Sequence, residues 1–141
     1  AGIRGAFAGL GHESGAQALT KAVIEGVAFA VRDSLEALEV AGTTLKRVTA
    51  IGGGSRSPYW LKVIASTLEI PVDIPAEGDF GAAFGAARLG LIAATSADPF
   101  AVCQPPVTAR TIEPDMKLAP QFREAHSKFQ KLYPALKGAF N

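Results

Sequence analysis

A run of three glycines between a short apolar strand and the start of a helix constrains this sequence most. Arg47–Ile51 is predicted to form a strand, Gly52, Gly53 and Gly54 follow it, and Pro58–Leu68 has the apolar spacing of a helix. Glycines let a ligand approach the backbone, and a helix N-terminus offers unpaired N–H groups and a positive dipole end. This order favours a nucleotide-binding turn, but it also fits a turn that only packs the helix on the sheet.

The residues after the glycines define how the helix begins and limit the chemistry of the turn. Ser57 is the predicted N-cap and Pro58 the first helical residue, where a missing N–H costs nothing. The run matches neither Gly-x-Gly-x-x-Gly nor the Walker pattern, and no lysine is placed to reach a β- or γ-phosphate. The spacing therefore supports a sugar–phosphate or adenosine contact without supporting phosphoryl chemistry.

Apolar periodicity and breaker residues predict the remaining elements. These are a long helix from Ser14 to Val40 with Ser14 and Gln17 as a capping box, a strand at Pro71–Pro75, a helix from Asp79 to about Ile92 capped by Asp79, an edge strand near Val107–Ile112, and a helix from about Leu118 to Leu132 ended by Pro134. The helix after Asp79 is rich in glycine and alanine, which predicts close packing against a helix or loop beside the glycine turn.

Strands that alternate with helices predict an α/β fold in which the two clear strands are parallel neighbours joined by the helix Pro58–Leu68. Two strands are too few for an independent sheet, so we expect further strands upstream of Ala1.

Composition excludes several functional classes. The 141 residues fit one domain or part of one, and the net charge of +1 is unlike that of a dedicated nucleic-acid binder. The single cysteine, Cys103, excludes a disulfide framework. The apolar segments are too short to cross a membrane and there is no signal peptide, so we expect a cytoplasmic protein.

Three stretches carry a family resemblance. Ile51–Trp60 (IGGGSRSPYW) resembles the adenosine-binding loop of the FGGY carbohydrate kinases, most closely in their xylulokinase branch. Arg4–Leu10 with Ala22–Phe29 resembles the second signature of that family, and Gly78–Arg88 resembles its small-residue helix near the nucleotide cleft. The motifs occur in the family's order and cover essentially the whole chain.

The resemblance implies part of a two-domain fold of the actin–hexokinase–chaperone ATPase superfamily, a ribonuclease-H-like domain with parallel strands and packed helices. It implies ATP and Mg²⁺ in a cleft and a sugar, D-xylulose being favoured, held mainly by an N-terminal domain. This chain, residues 1–141, matches the later part of the C-terminal domain. The family's general-base aspartate falls before Ala1, so we expect no catalytic residue and no metal ligand here.

Carried over residue by residue, the resemblance places Gly52, Gly53 and Gly54 against the α-phosphate and ribose. Ser57 falls where related kinases place an asparagine near adenine, although its role as a helix cap is the safer interpretation. A homodimer is possible. The alternative function is a non-catalytic nucleotide-binding or assembly module derived from a sugar kinase.

The other candidate residues have simpler interpretations. His12 and His126 are far apart and have no paired cysteines, which makes a metal site improbable. Arg56 either lies near phosphate or across the cleft, or is a solvated loop charge, which is the favoured interpretation. Glu25 either anchors a loop or pairs with Lys21 one turn away.

Overall fold

The computed structural model describes residues 5–76 and 81–140, which form a small mixed sheet with helices packed on it. In chain order the elements are α1 (Ala16–Val40), β1 (Val48–Thr49), α2 (Pro58–Leu68), β2 (Val72–Pro75), α3 (Ala82–Thr95), α4 (Pro99–Val102), β3 (Thr108–Ile112) and α5 (Ala119–Leu136). Single 3₁₀ turns cover Gly53–Arg56 and Lys137–Phe140. None of the described helices is both long and apolar enough to span a bilayer.

The sheet has the order β1-β2-β3. β1 and β2 are parallel, with Val48 beside Val72, which confirms the predicted pairing. β3 runs antiparallel to β2 and places Ile112 beside Val72, so the expected edge strand exists and makes the sheet mixed. The β1 strand is shorter than Arg47–Ile51 because the chain turns away after Ala50, whose N–H donates to Asp73 O at 2.9 Å.

The helix α2 is the centre of the core because it is buried on two sides. Leu61 and Ala65 pack with Val72 against the sheet. Val63 packs on the other side with Phe29 of α1 and Phe122 of α5. A helix that is apolar on most of its circumference has to be covered on most of it, and here the sheet and two helices cover α2. This packing fixes where α2 begins, and therefore where the glycine turn lies.

The predicted start of α1 is wrong. Gly15 occupies the N-cap position and α1 begins at Ala16, without a side-chain cap. The Ser14 hydroxyl instead accepts a hydrogen bond from the N–H of Gly11 at 3.0 Å. That hydroxyl closes the preceding turn, so the capping box with Gln17 does not form.

The prediction for α3 is wrong in its packing. Asp79 lies outside the described residues, and Gly81 occupies the N-cap position of a helix that begins at Ala82. A Cβ added to Gly85 would have no atom within 4 Å among the described residues. α3 packs on α4 and has no buried residue, so its small side chains do not lie against the glycine turn.

The last helix continues past its predicted end. Pro134 lies inside α5, which ends at Leu136. A proline this close to a helix end removes a single hydrogen bond of the last turn, and the upstream part of α5 is held by the buried side chains of Phe122 and His126.

Candidate functional site

The glycine turn lies at the carboxyl end of β1, directly before α2. Gly52 has φ = 80°, a left-handed conformation that favours glycine. Its carbonyl oxygen accepts hydrogen bonds from the Ser55 N–H at 3.1 Å and the Ser55 hydroxyl at 2.7 Å. These bonds close the 3₁₀ turn and turn the chain sharply from the strand into the helix.

The other two glycines of the turn differ in what surrounds them. A Cβ added to Gly53 would have no described atom within 4 Å, so the backbone there is open to a ligand. A Cβ added to Gly54 would lie 2.5 Å from Cζ3 of Trp60, closer than real contacts allow. The missing side chain at Gly53 therefore leaves the backbone accessible from solvent, whereas the missing side chain at Gly54 makes space for the indole ring of Trp60.

Ser57 begins α2 as the sequence predicts. Its hydroxyl oxygen accepts a hydrogen bond from the Trp60 N–H at 3.3 Å, and Pro58 is the first helical residue. The remaining N–H groups of the first turn lie at the positive end of the α2 dipole. An anionic or strongly polar group is stabilised in such a position.

A cavity of about 300 Å³ lies between β1 and the start of α2. It is lined by Thr49, Ala50, Ile51, Gly54, Ser55, Trp60, Leu61, Ile64 and Val72. Of the four residues predicted for the site, Gly54 lines this cavity, and Gly52, Gly53 and Ser57 form the adjoining turn and helix start. The Trp60 ring joins the two because it covers Gly54 and lines the cavity.

Trp60, which lines the cavity, carries one buried polar atom. The indole Nε1 of Trp60 is buried and has no hydrogen-bond partner among the described residues. The surface of the cavity is otherwise mostly apolar, and no carboxylate is among the described residues that line it. Such a surface suits a flat, mostly apolar group with few polar atoms, such as a nucleobase, and its described residues offer no carboxylate to a divalent cation.

A strong ion pair holds the opposite end of β1. Arg47 donates two hydrogen bonds to the Asp73 carboxylate, both at 2.6 Å, and the Thr111 hydroxyl donates a third at 2.6 Å. The hydrogen bonds from Arg47 and then Thr111 lower the pKa of Asp73 to about 2. Asp73 is therefore a carboxylate at neutral pH, and it ties the three strands together rather than exchanging protons.

The remaining candidates have structural surroundings. His12 is exposed, Cys103 is an exposed free thiol, and Arg56 is exposed on the turn. Glu25 pairs with Lys21 at 3.5 Å, the simpler of its two interpretations. No sequence pattern predicts a cluster of Asp33, Glu36 and His126, because its members come together only when α5 packs on α1.

Comparison with known proteins identifies the family. Residues 1–94 match the C-terminal domain of the FGGY family of carbohydrate kinases, which is two thirds of the chain. The chain belongs to the FGGY family of carbohydrate kinases. The xylulose kinase of Escherichia coli strain K12 is 34% identical to this FGGY chain over 134 residues, which are 94% of the chain and 28% of that kinase.

Solved structures agree with this assignment. A Brucella ovis protein described as a xyloylose kinase is 62% identical, covers 97% of this FGGY chain and superposes with a TM-score of 0.86. Xylulose kinase from Rhodospirillum rubrum is 30% identical, covers 98% and has a TM-score of 0.80. The mixed sheet and its helices therefore belong to the actin/hexokinase-like ATPase fold of these kinases. The chain spans 28% of the length of each of these structures.

Proposed function

We propose that this FGGY chain forms the adenosine side of the nucleotide cleft in an ATP-dependent sugar kinase that converts D-xylulose to D-xylulose 5-phosphate. One observation carries the proposal: the open backbone at Gly53 stands between a mostly apolar cavity and the N-terminus of α2. D-Xylulose is proposed as the substrate because the chain is similar to xylulose kinases.

Each part of the turn has a role in this proposal. Gly52 supplies the left-handed bend that brings the chain out of β1, and Gly53 lets the ribose and α-phosphate approach the backbone. The first turn of α2, capped by Ser57, presents N–H groups toward the phosphate side. Adenine occupies the cavity beside the Trp60 ring.

The chemistry of phosphoryl transfer is assigned to other parts of the kinase. A bound Mg²⁺ ion would neutralise charge on the phosphates of ATP. The described residues around the cavity contain no carboxylate for that ion and no base for the sugar hydroxyl. In this proposal the chain binds and orients the nucleoside, and the rest of a longer kinase holds the sugar and the catalytic aspartate.

The test is steady-state kinetics of the intact kinase with the substitution Gly53→Val. We expect the KM for ATP to rise about tenfold or more, equivalent to about 1.4 kcal/mol, with little change in the KM for D-xylulose. Gly138→Val is the matched control, because Gly138 also has no described atom within 4 Å of an added Cβ and lies in the C-terminal turn. Thermal melting of both variants checks that they fold.

Three outcomes would contradict parts of the proposal. An unchanged KM for ATP in Gly53→Val means that the glycine turn is structural only. Phosphorylation of another sugar in preference to D-xylulose would show that D-xylulose is not the preferred substrate. ATP binding by the intact protein without phosphorylation of any sugar supports the alternative, a non-catalytic nucleotide-binding module.

A further inference from the structure

A second group of polar side chains lies between α1 and α5 and shares no residue with the cavity beside the glycine turn. Asp33 and Glu36 are three residues apart on α1, so they lie on the same helix face. The His126 Nε2 lies 2.7 Å from Asp33 Oδ1, and its Nδ1 lies 3.7 Å from Glu36 Oε1. One ligand atom from each residue lies within 4.8 Å of the other two.

The imidazole in this cluster is fixed by the core. The His126 side chain is 8% exposed, and its ring lies against the Phe29 ring with the centroids 5.8 Å apart. The two carboxylates are reachable from solvent, since Asp33 is 42% and Glu36 39% exposed. A buried, oriented imidazole thus faces two accessible carboxylates.

A fourth donor group completes the cluster. The Gln130 amide contacts both carboxylates, at 2.9 Å from Asp33 Oδ1 and 3.1 Å from Glu36 Oε2. Rotation of that amide by 180° would present its oxygen, an equally good ligand atom, to the same point. Asp33 and Gln130 also line a groove of about 550 Å³ that gives water and ions access.

We propose that Asp33, Glu36 and His126 form a binding site for one Zn²⁺ ion, with Gln130 or water as the fourth ligand. One imidazole and two carboxylates are a ligand set that Zn²⁺ accepts, at bond lengths of about 2.0–2.2 Å. One ion binds one ring nitrogen, and the ligand atoms around it are roughly 3.4 Å apart. Zn²⁺ on His126 Nε2 therefore requires Asp33 to move away by less than about 1 Å and a Glu36 oxygen, which now lies nearest Nδ1, to turn toward Nε2. The ion takes the place of the hydrogen bond between His126 Nε2 and Asp33 Oδ1.

The charges around the site set the expected affinity. Arg32 Nε lies 3.1 Å from Glu36 Oε1, and Arg32 Nη1 also donates to the Leu68 carbonyl at 3.0 Å. The guanidinium is therefore anchored beside one of the ligands and opposes a second cation. We expect micromolar affinity, weaker than that of structural zinc sites built from thiolates.

The experiment is a titration of chelator-treated protein with ZnCl₂, followed by calorimetry and by NMR of the histidine ring protons. Zn²⁺ should bind in the micromolar range and shift the His126 ring signals, whereas the signals of exposed His12 should stay. Asp33→Asn and His126→Gln should each weaken this binding at least tenfold. His12→Gln and Glu124→Gln, which change an exposed histidine and an exposed carboxylate outside the cluster, should bind as the unsubstituted protein does.

Several results would overturn the site. One is the absence of saturable binding to the unsubstituted protein at 1 mM ZnCl₂, a concentration that corresponds to only about −4 kcal/mol of binding energy. Another is unchanged affinity in Asp33→Asn, whose partly exposed position allows the variant to fold even if His126→Gln does not. A zinc-induced shift of the His12 ring signals, with no shift of the His126 signals, would also reject the proposed site. Destabilisation of the variants without zinc binding would show that the cluster only joins α1 to α5.

Discussion

At the residue scale, the glycines of the turn are needed for different physical reasons. Gly52 has the left-handed backbone, Gly53 faces open space, and Gly54 lies under the indole of Trp60. The sequence alone treats the three as equivalent, because a run of glycines does not reveal which neighbour each one accommodates. Substitution of Gly54 should therefore affect stability, whereas substitution of Gly53 should affect ligand binding.

The contact between Gly54 and Trp60 predicts a stability change. Gly54→Ala should lower the free energy of unfolding by about 1–3 kcal/mol, because the added methyl group would overlap a packed ring. Trp60→Leu removes that ring edge, so the second substitution should cost less in the Gly54→Ala background than alone. Urea unfolding of the four proteins of this double-mutant cycle measures the coupling, and strictly additive effects would contradict the contact.

The Asp73 ion pair is the second residue-scale feature, and it predicts a dependence on pH. The pKa of Asp73 is about 2 in the folded chain, below its ordinary value of 3.8. A lowered pKa contributes stability that is present above about pH 4 and is lost as the pH falls toward 2. We expect about 1 kcal/mol, discounted because the Arg47 side chain is 56% exposed.

The comparison of the wild-type chain with Asp73→Asn tests this dependence. Urea unfolding at pH 6 should show the wild type to be more stable, and the gap should close near pH 2. Other carboxylates titrate in both proteins, so the difference between them isolates Asp73. A gap that stays constant from pH 6 to pH 2 would show that the carboxylate charge contributes nothing.

At the element scale, two serines with similar sequence positions behave differently. Ser57 precedes α2 and accepts a hydrogen bond from the Trp60 N–H, whereas Ser14 precedes α1 and accepts one from the Gly11 N–H. Both fit the residue preference for a helix start. The Pro58 ring favours the start of α2. Ser14 instead belongs to the preceding turn, because its N–H donates to the Gly11 carbonyl at 3.0 Å and its hydroxyl accepts from the Gly11 N–H.

These two serines give a matched pair of substitutions. Ser57→Ala should destabilise the protein by about 0.5–1 kcal/mol, at the lower end of cap losses because the bond is 3.3 Å long. Ser14→Ala should change the free energy of unfolding by less than half as much, since that hydroxyl caps no helix. Thermal melts of both variants provide the measurement, and a larger loss in Ser14→Ala would reverse the assignment.

At the scale of the whole molecule, the strand β1 is an edge of the described three-stranded sheet. The chain spans 28% of the kinases to which it is similar, and the apolar side chains of α3 remain exposed. In the proposed function the β- and γ-phosphates of ATP are held by other parts of a longer kinase. The described residues around the turn then contact the nucleoside, and the charge-assisted contacts to these phosphates come from elsewhere in the kinase.

This division predicts weak binding by residues 1–141 alone. We expect ATP to bind no tighter than about the millimolar range, a free energy of about −4 kcal/mol. ADP should bind equally well, because the described residues around the turn offer the γ-phosphate no partner, and D-xylulose should not be phosphorylated. Calorimetric titration with both nucleotides tests this. Micromolar binding of ATP, or a clear preference for ATP over ADP, would mean that residues 1–141 themselves bind the β- or γ-phosphate.

The local sequence determined the elements around the glycine turn. Gly52–Gly54, Ser57 and Pro58 fix a strand exit, a sharp bend and a helix start through backbone preferences that act over a few residues. The parallel pairing of β1 with β2 followed as well, because the single helix α2 joins two strands. The family resemblance depended on the same short motifs.

Only the tertiary structure decided which residues meet across long stretches of chain. Trp60 over Gly54, Arg47 with Asp73 and Thr111, and His126 between Asp33 and Glu36 depend on how α2, the sheet and α5 pack. The predicted packing of α3 against the glycine turn does not form for the same reason: small side chains permit close approach, but they do not specify a partner. Local preferences act along the chain, whereas burial is decided by surfaces that come together only when the chain folds.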